Sequence, residues 1–385
     1  MTISVERDYV VEKLARMVRI NSTNPTLTPD APGEAEIAVY VADTLRDIGL
    51  DVTTHQIEPW RVNVVGKLAG TGGGRTLMLN AHMDTVGVEG MDDPFSAEIR
   101  DGRLFGRGSQ DMKGSLAAMM GALKALVDAG VELRGDVLLT AVADEEAGSI
   151  GTEDLVKHYK ADGAIVTEPS DMKISRAHRG FIWYEVETVG RAAHGSRYDV
   201  GIDAIMRMGR ILAKLDEMEK EVRTRTTHPL MGPPSMHASR IQGGTELSVY
   251  AAKCALSIER RTVAGETQDA ITAEMQAILD ELAAQDPTFK ATLKPVFWRN
   301  PFEIEADAAI VRALEEAVTK RLGKAPEHVG QPFWTDAAIL AEAGIETVLI
   351  GPIGEGLHSA EEWVDLDSVI DLAHILADTA VAYCS

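Results

Sequence analysis

The stretch Leu77-Met78-Leu79-Asn80-Ala81-His82-Met83-Asp84 decides the fold. Three consecutive apolar residues, Leu77, Met78 and Leu79, suit a strand covered on both faces. Open α/β sheets bind ligands at the carboxyl ends of such strands. This strand ends in His82, one spacer and Asp84. An imidazole can hold a metal through one nitrogen while a nearby carboxylate takes the proton on the other or orients the site. One histidine at a strand end is more often a satisfied polar residue than a ligand, so the weight falls on the other strand ends.

Those ends carry the same chemistry. Residues 137–143 form a second continuous apolar run and stop at Asp144-Glu145-Glu146; residues 163–167 form a third and stop at Glu168-Pro169-Ser170. Between the first two runs lies Gly106-Arg107-Gly108-Ser109-Gln110-Asp111-Met112-Lys113-Gly114, followed by a helix over 115–128. Late in the chain a strand over 347–350 leads into a loop that carries His358. Buried strands separated by helices predict an α/β domain with a mostly parallel sheet and helices on both faces. Upstream, a helix running to about residue 20, a loop over 21–25, a helix over 34–48 stopped by Gly49, and strands over 51–56 and 62–68 complete its first part. The run Gly72-Gly73-Gly74 lacks the Lys-Ser/Thr of a phosphate-binding loop and opens a strand, so it reads as a turn.

From Arg176 onward the pattern changes. A strand over 181–189 precedes a helix whose face is Ile202, Ile205, Met208, Leu212 and Leu215. Strands over 236–242 and 248–260, a helix bearing Ile271, Met275, Ile278 and Leu282, and a strand over 289–297 follow. The order strand-helix-strand-strand-helix-strand is that of a ferredoxin-like α+β unit. Helix–strand alternation then resumes. The predicted division is therefore a first domain from 1–176 and 291–385, with an inserted domain over 177–290.

Composition bounds the rest. The 385 residues suffice for two domains with real cores. A formal net charge of −22 argues against nucleic acid or an anionic membrane as partner. The two cysteines, Cys254 and Cys384, form no spacing pattern and predict neither a disulfide framework nor a thiolate zinc site. No apolar run approaches a membrane span and the first residues do not read as a signal peptide, so a cytoplasmic protein is expected.

His82, Asp84, Asp111, Glu145, Glu146, Glu168 and His358 thus gather at predicted strand ends or in adjoining loops. Two imidazoles with several carboxylates fit zinc, or a dinuclear zinc or cobalt centre. One carboxylate bridging ions about 3.5 Å apart gives the clamp used by aminopeptidase-type hydrolases. In the pair Glu145-Glu146, one carboxylate can bind metal while the other moves a proton.

In these motifs the chain resembles the zinc metallopeptidase family of aminoacylases, acetylornithine deacetylase, succinyl-diaminopimelate desuccinylase and glutamate carboxypeptidase. His82-Met83-Asp84, the 106–114 stretch, Asp144-Glu145-Glu146, Glu168-Pro169-Ser170 and His358-Ser359-Ala360-Glu361-Glu362 match its motifs in order. The resemblance implies that His82, Asp111 and Glu168 hold one divalent ion and that Asp111, Glu146 and His358 hold a second. It implies that Asp84 orients His82 and that Glu145 is the general base and then the acid. A glutamate at 168, where other branches carry aspartate, favours deacylases and carboxypeptidases over aminopeptidases.

The inserted domain resembles the family's dimerisation or lid domain. Gly190-Arg191-Ala192-Ala193-His194-Gly195-Ser196 matches a motif whose histidine reaches the partner subunit's active site and stabilises the oxyanion. Arg261, within Glu259-Arg260-Arg261-Thr262, matches an arginine that binds the substrate carboxylate, a task suited to a guanidinium. Ser248 replaces an asparagine that usually helps to hold substrate, Ala251 ends an altered Ser248-Val249-Tyr250-Ala251 stretch, and Ala264 stands where proline is usual. The metal side matches the pattern while the substrate side departs from it. The resemblance therefore implies a homodimeric, zinc-dependent amidohydrolase of N-acyl amino acids, with a dipeptidase or glutamate-carboxypeptidase-like exopeptidase as the alternative.

Overall fold

The His82 strand, Leu77–His82, is buried along its whole length. It lies in the sheet between Val137–Val142 and Gly163–Val166, parallel to both. Glu346–Leu349 continues the parallel set beyond Gly163–Val166. On the other side Arg61–Leu68 pairs antiparallel with Val137–Val142, and Asp51–Glu58 forms a hairpin with it. This computed structural model describes residues 3–225 and 227–385.

Alternation along the strands separates two faces. Leu77, Leu79 and Ala81, with Val137, Leu139 and Ala141, join one large core cluster. The helices Arg7–Val18, Ala35–Ile48, Gly114–Asp128, Ala309–Leu322 and Leu366–Cys384 supply most of the rest of that cluster. The intervening residues Met78 and Leu138 are also buried, and Ile150–His158 and Ala337–Glu342 form a second packed group of helices. Helix Ala35–Ile48 ends where Gly49 takes φ 98°, the left-handed conformation that lets the backbone bond the last carbonyls. Gly351 follows Glu346–Leu349, and a Cβ there would stand 2.1 Å from the Glu168 carbonyl. A glycine is thus required where these two strand ends meet.

A small antiparallel sheet of Glu98–Arg100, Arg103–Phe105, Trp363–Asp365 and Gly354–Glu355 was not predicted. Its strands are two or three residues long, too short for periodicity to reveal. Pairing of Trp363 with Phe105 sets the loop after 105 beside the loop before 363, and these two loops carry Asp111 and His358. Ile174–His178 is a second unpredicted strand, with only Ile174 and Ala177 apolar among Ser175, Arg176 and His178.

The chain divides into two compact units, residues 1–176, 304–329 and 335–385, and residues 177–303 and 330–334. The predicted boundary at 290/291 therefore needs correction. Ala291–Arg299 pairs antiparallel with Gly180–Val189 and cannot be separated from it. The second unit is ferredoxin-like as expected, with strand order Ser235–Gly243, Lys253–Thr262, Gly180–Val189, Ala291–Arg299. Helices Ala204–Val222 and Gln268–Gln285 cover its core of Ile182, Tyr184, Val186, Met208, Leu256 and Met275. Its third strand begins at Lys253 rather than 248, because residues 248–252 form a loop that bonds the His194 segment.

Candidate metal centre

The parallel strands deliver their acids and imidazole to one place in the first unit. His82 Nε2 lies 3.0 Å from Asp111 Oδ1 and 3.6 Å from Glu168 Oε1. His358 Nε2 lies 3.4 Å from the other Asp111 oxygen, Oδ2, and 3.1 Å from Glu146 Oε2. Two ligand triads, His82–Asp111–Glu168 and Asp111–Glu146–His358, thus share Asp111. Each Asp111 oxygen faces a different histidine, which is the disposition a bridging carboxylate needs.

Asp84 does more than face His82. The His82 ring is held by the main-chain carbonyl of Asp84, 2.9 Å from Nδ1, while the Asp84 carboxylate stands 3.6 Å away. That carboxylate accepts the N–H groups of Glu145 and Glu146, both at 3.1 Å, and the Asn24 side-chain amide at 2.8 Å. It therefore sets the backbone of the loop that carries both glutamates. Asn24 also donates to Asp144 at 3.0 Å, and buried Arg61 pairs with Asp144 and with Glu58.

Glu362 holds the Asp111 loop in the same manner. One carboxylate oxygen accepts from the N–H groups of Gln110 and Asp111 at 2.9 and 3.1 Å. The other accepts from Gly108 N–H at 3.0 Å and pairs with Arg107 at 2.6 Å. Both side chains are buried. The Asp111–Met112 peptide bond is cis. Sequence reasoning missed Asn24, Arg61 and Glu362 as site residues. Glu362 fell within a quoted motif, but nothing in its spacing showed that it would grip main-chain amides more than two hundred residues away.

The electrostatics of this cluster call for cations. Burial, reinforced by Glu168, pushes the Glu145 carboxyl well above its ordinary range. Burial and Asp111 likewise push Glu168 well up and raise Glu146 to about 6. Burial disfavours charge on His82, yet its hydrogen bond to Asp111 and the surrounding carboxylates hold its pKa well above the usual imidazole value. On His358, hydrogen bonds to Asp111 and Glu146 do the same, to about 10. Protons on two imidazoles thus offset crowded carboxylates, and divalent ions can replace those protons. Donor set, separations and charge therefore fit a dinuclear centre. Glu145 belongs to neither triad.

The residues expected on the substrate side lie in the second unit. His194 is exposed, with its Nδ1 2.9 Å from Ser196 Oγ. The Ser248 carbonyl accepts Gly195 N–H at 2.6 Å, fastening that loop. Arg261 is half-buried, bonds Glu259, and lays its guanidinium 5.3 Å from the Phe181 ring centroid. Its neighbour Arg260 is buried and committed to Glu266 at 2.6 Å.

Comparison with known proteins places this geometry in context. A family profile described as peptidase family M20/M25/M40 matches residues 78–382. The chain is 31% identical to N-formyl-4-amino-5-aminomethyl-2-methylpyrimidine deformylase of Bacillus subtilis, over 97% of this chain and 95% of that protein. It is 32% identical to acetylornithine deacetylase of Myxococcus xanthus, over 84% of each. Among solved structures, the aminopeptidase PepT of Bacillus cereus superposes with a TM-score of 0.81 at 19% identity, covering 99% of this chain and all of that one. A dinuclear metal-binding peptidase of Bacillus subtilis superposes with a TM-score of 0.75 at 18% identity, covering 98% of each chain.

Proposed function

We propose, from the premise that this chain belongs to peptidase family M20/M25/M40, that it removes the acyl group from an N-acyl amino acid. The chain is a hydrolase of carbon–nitrogen bonds. The observation that carries the hydrolytic reading is the sharing of Asp111 between two triads beside an unshared glutamate. Two relatives above 30% identity are a deformylase and a deacetylase, both removers of an acyl group, which favours deacylation over dipeptide cleavage.

Two divalent ions, zinc in this proposal with cobalt as a substitute, would be held by His82, Asp111 and Glu168 and by Asp111, Glu146 and His358. When bound, such a pair polarises the amide carbonyl and acidifies water. Glu145 takes the proton of the attacking water and delivers it to the leaving nitrogen. His194 of a second copy donates to the developing oxyanion, and Arg261 grips the carboxylate of the amino acid in a fork. In the structure Arg261 bonds Glu259, so the substrate carboxylate competes with an internal one.

The second unit supports the dimer in this proposal. Its edge strand Ser235–Gly243 has seven exposed residues in succession and exposed Ile241. An unpaired edge of that length is a template for another chain. No helix among the described residues is long and apolar enough to cross a membrane. Cys254 and Cys384 are free and buried, which fits the reducing cytoplasm proposed as its location.

The test is a panel of N-acyl amino acids and dipeptides assayed after chelation and again after adding back zinc or cobalt. The expected result is loss on chelation, recovery with metal, and release of a carboxylic acid rather than two amino acids. Release of two amino acids only would move the assignment to the dipeptidase alternative.

A further inference from the structure

Away from that centre, on the outer part of the first unit, we propose a third metal site formed by His55, Asp154 and His158. One ring nitrogen from each histidine and one Asp154 oxygen lie within 4.8 Å of one another. His55 comes from strand Asp51–Glu58; Asp154 and His158 come from helix Ile150–His158, four residues apart and so on one face. His158 Nε2 stands 3.4 Å from Asp154 Oδ1. That separation is long for a hydrogen bond. It matches the edge between co-ligands of a tetrahedral zinc ion with bonds of about 2.0–2.1 Å, roughly 3.3–3.4 Å.

The two imidazole rings stack, with centroids 5.0 Å apart and planes at 19°. The Tyr159 hydroxyl stands 2.9 Å from His55 Nε2; in this proposal Nδ1 is the ligating nitrogen and that contact holds the ring from its other side. Two imidazoles and one carboxylate are a zinc donor set that leaves the fourth position to water. Partial exposure of His158 gives an ion a path from solvent. None of the three residues belongs to either Asp111 triad, so this site fills and empties independently of the catalytic centre. A bound ion would pin the first strand of the sheet to the helix that follows the Glu145 loop.

Equilibrium dialysis against micromolar free zinc, followed by elemental analysis, tests the site on the full chain. Wild type should hold one more zinc ion per chain than either His158→Ala or His55→Ala, with turnover equal in all three. Excess zinc should raise the Tm of wild type further than that of His158→Ala, in which only the Asp111 triads remain to bind it. Glu146→Ala, altered only in the catalytic centre, should retain the additional ion. Equal zinc content in wild type and both histidine variants would overturn the proposal, as would a zinc-dependent Tm rise of the same size in all three.

Discussion

Glu362 and Asp111 are joined through the main chain: the carboxylate of one accepts the amide N–H of the other at 3.1 Å, with the Gln110 and Gly108 amides bound alongside. Asp111 is the residue shared by both ligand triads. Its two oxygens can face two ions only while its backbone is fixed, and Glu362 fixes it. Glu362→Gln keeps the shape but surrenders charge-assisted acceptors. Metal affinity should fall about 10–100-fold, as is usual when an outer partner of a ligand is lost. Competition titration with a chelating dye reads this directly, and an unaltered affinity would remove Glu362 from the role.

Glu145 stands outside both triads. Glu145→Gln should therefore bind the same number of metal ions as wild type and lose about 10²–10⁴-fold in kcat, the range for a lost general acid–base. The check pairs elemental analysis with turnover on one N-acyl amino acid. Near-normal turnover in a fully metallated variant would reject the assignment.

Glu34 lies buried behind the catalytic loop, where Oε1 accepts the Asp144 N–H at 3.2 Å and Oε2 has no hydrogen-bond partner among the described residues. Burial, then the charge of Asp84, raises its pKa from 4.5 to about 8. Between those values the folded protein keeps a proton that the unfolded chain has released. The stability owed to this group therefore declines as pH climbs from about 4.5 to about 8 and is level above that. Glu34→Gln, neutral at every pH, should show a shallower decline than wild type in denaturant midpoints measured across that interval. Parallel profiles would contradict the raised pKa.

A role for His194 in the other copy's active site has its own signature. His194→Ala and Glu145→Ala should each be nearly inactive alone. Mixed after dissociation and reassociation, they should recover up to about a quarter of wild-type activity, from heterodimers that keep one complete site, provided that subunits exchange at random. No recovery in a mixture shown by mass to contain heterodimers would exclude action in trans.

The legible parts of this molecule were those governed by local pattern. Leu77–His82, Val137–Val142 and Gly163–Val166 announced themselves because double-sided burial writes an unbroken apolar run, and His82, Glu145, Glu146 and Glu168 followed as the residues at or just beyond their ends. The alternation of the second unit was equally plain. What escaped notice depends on contacts between distant segments. Asn24, Arg61 and Glu362 look like ordinary polar residues until folding sets them beside Asp84, Asp144 and Asp111. The late start of Lys253–Thr262 escaped for a related reason: Val249 and Ala251 look strand-like, yet the carbonyl of Ala193 takes the Tyr250 amide and draws the segment into a loop.

The burial of Leu77–His82 on both of its faces has a bearing on how the enzyme comes into being. A slip of one residue against either parallel neighbour would turn every side chain of the strand to the opposite face, and the imidazole would leave the pocket with them. Uptake of ions thus acts as an inspection of the finished sheet: only a correctly threaded molecule qualifies, and the arrival of metal during refolding marks the moment when its central strands have come into step.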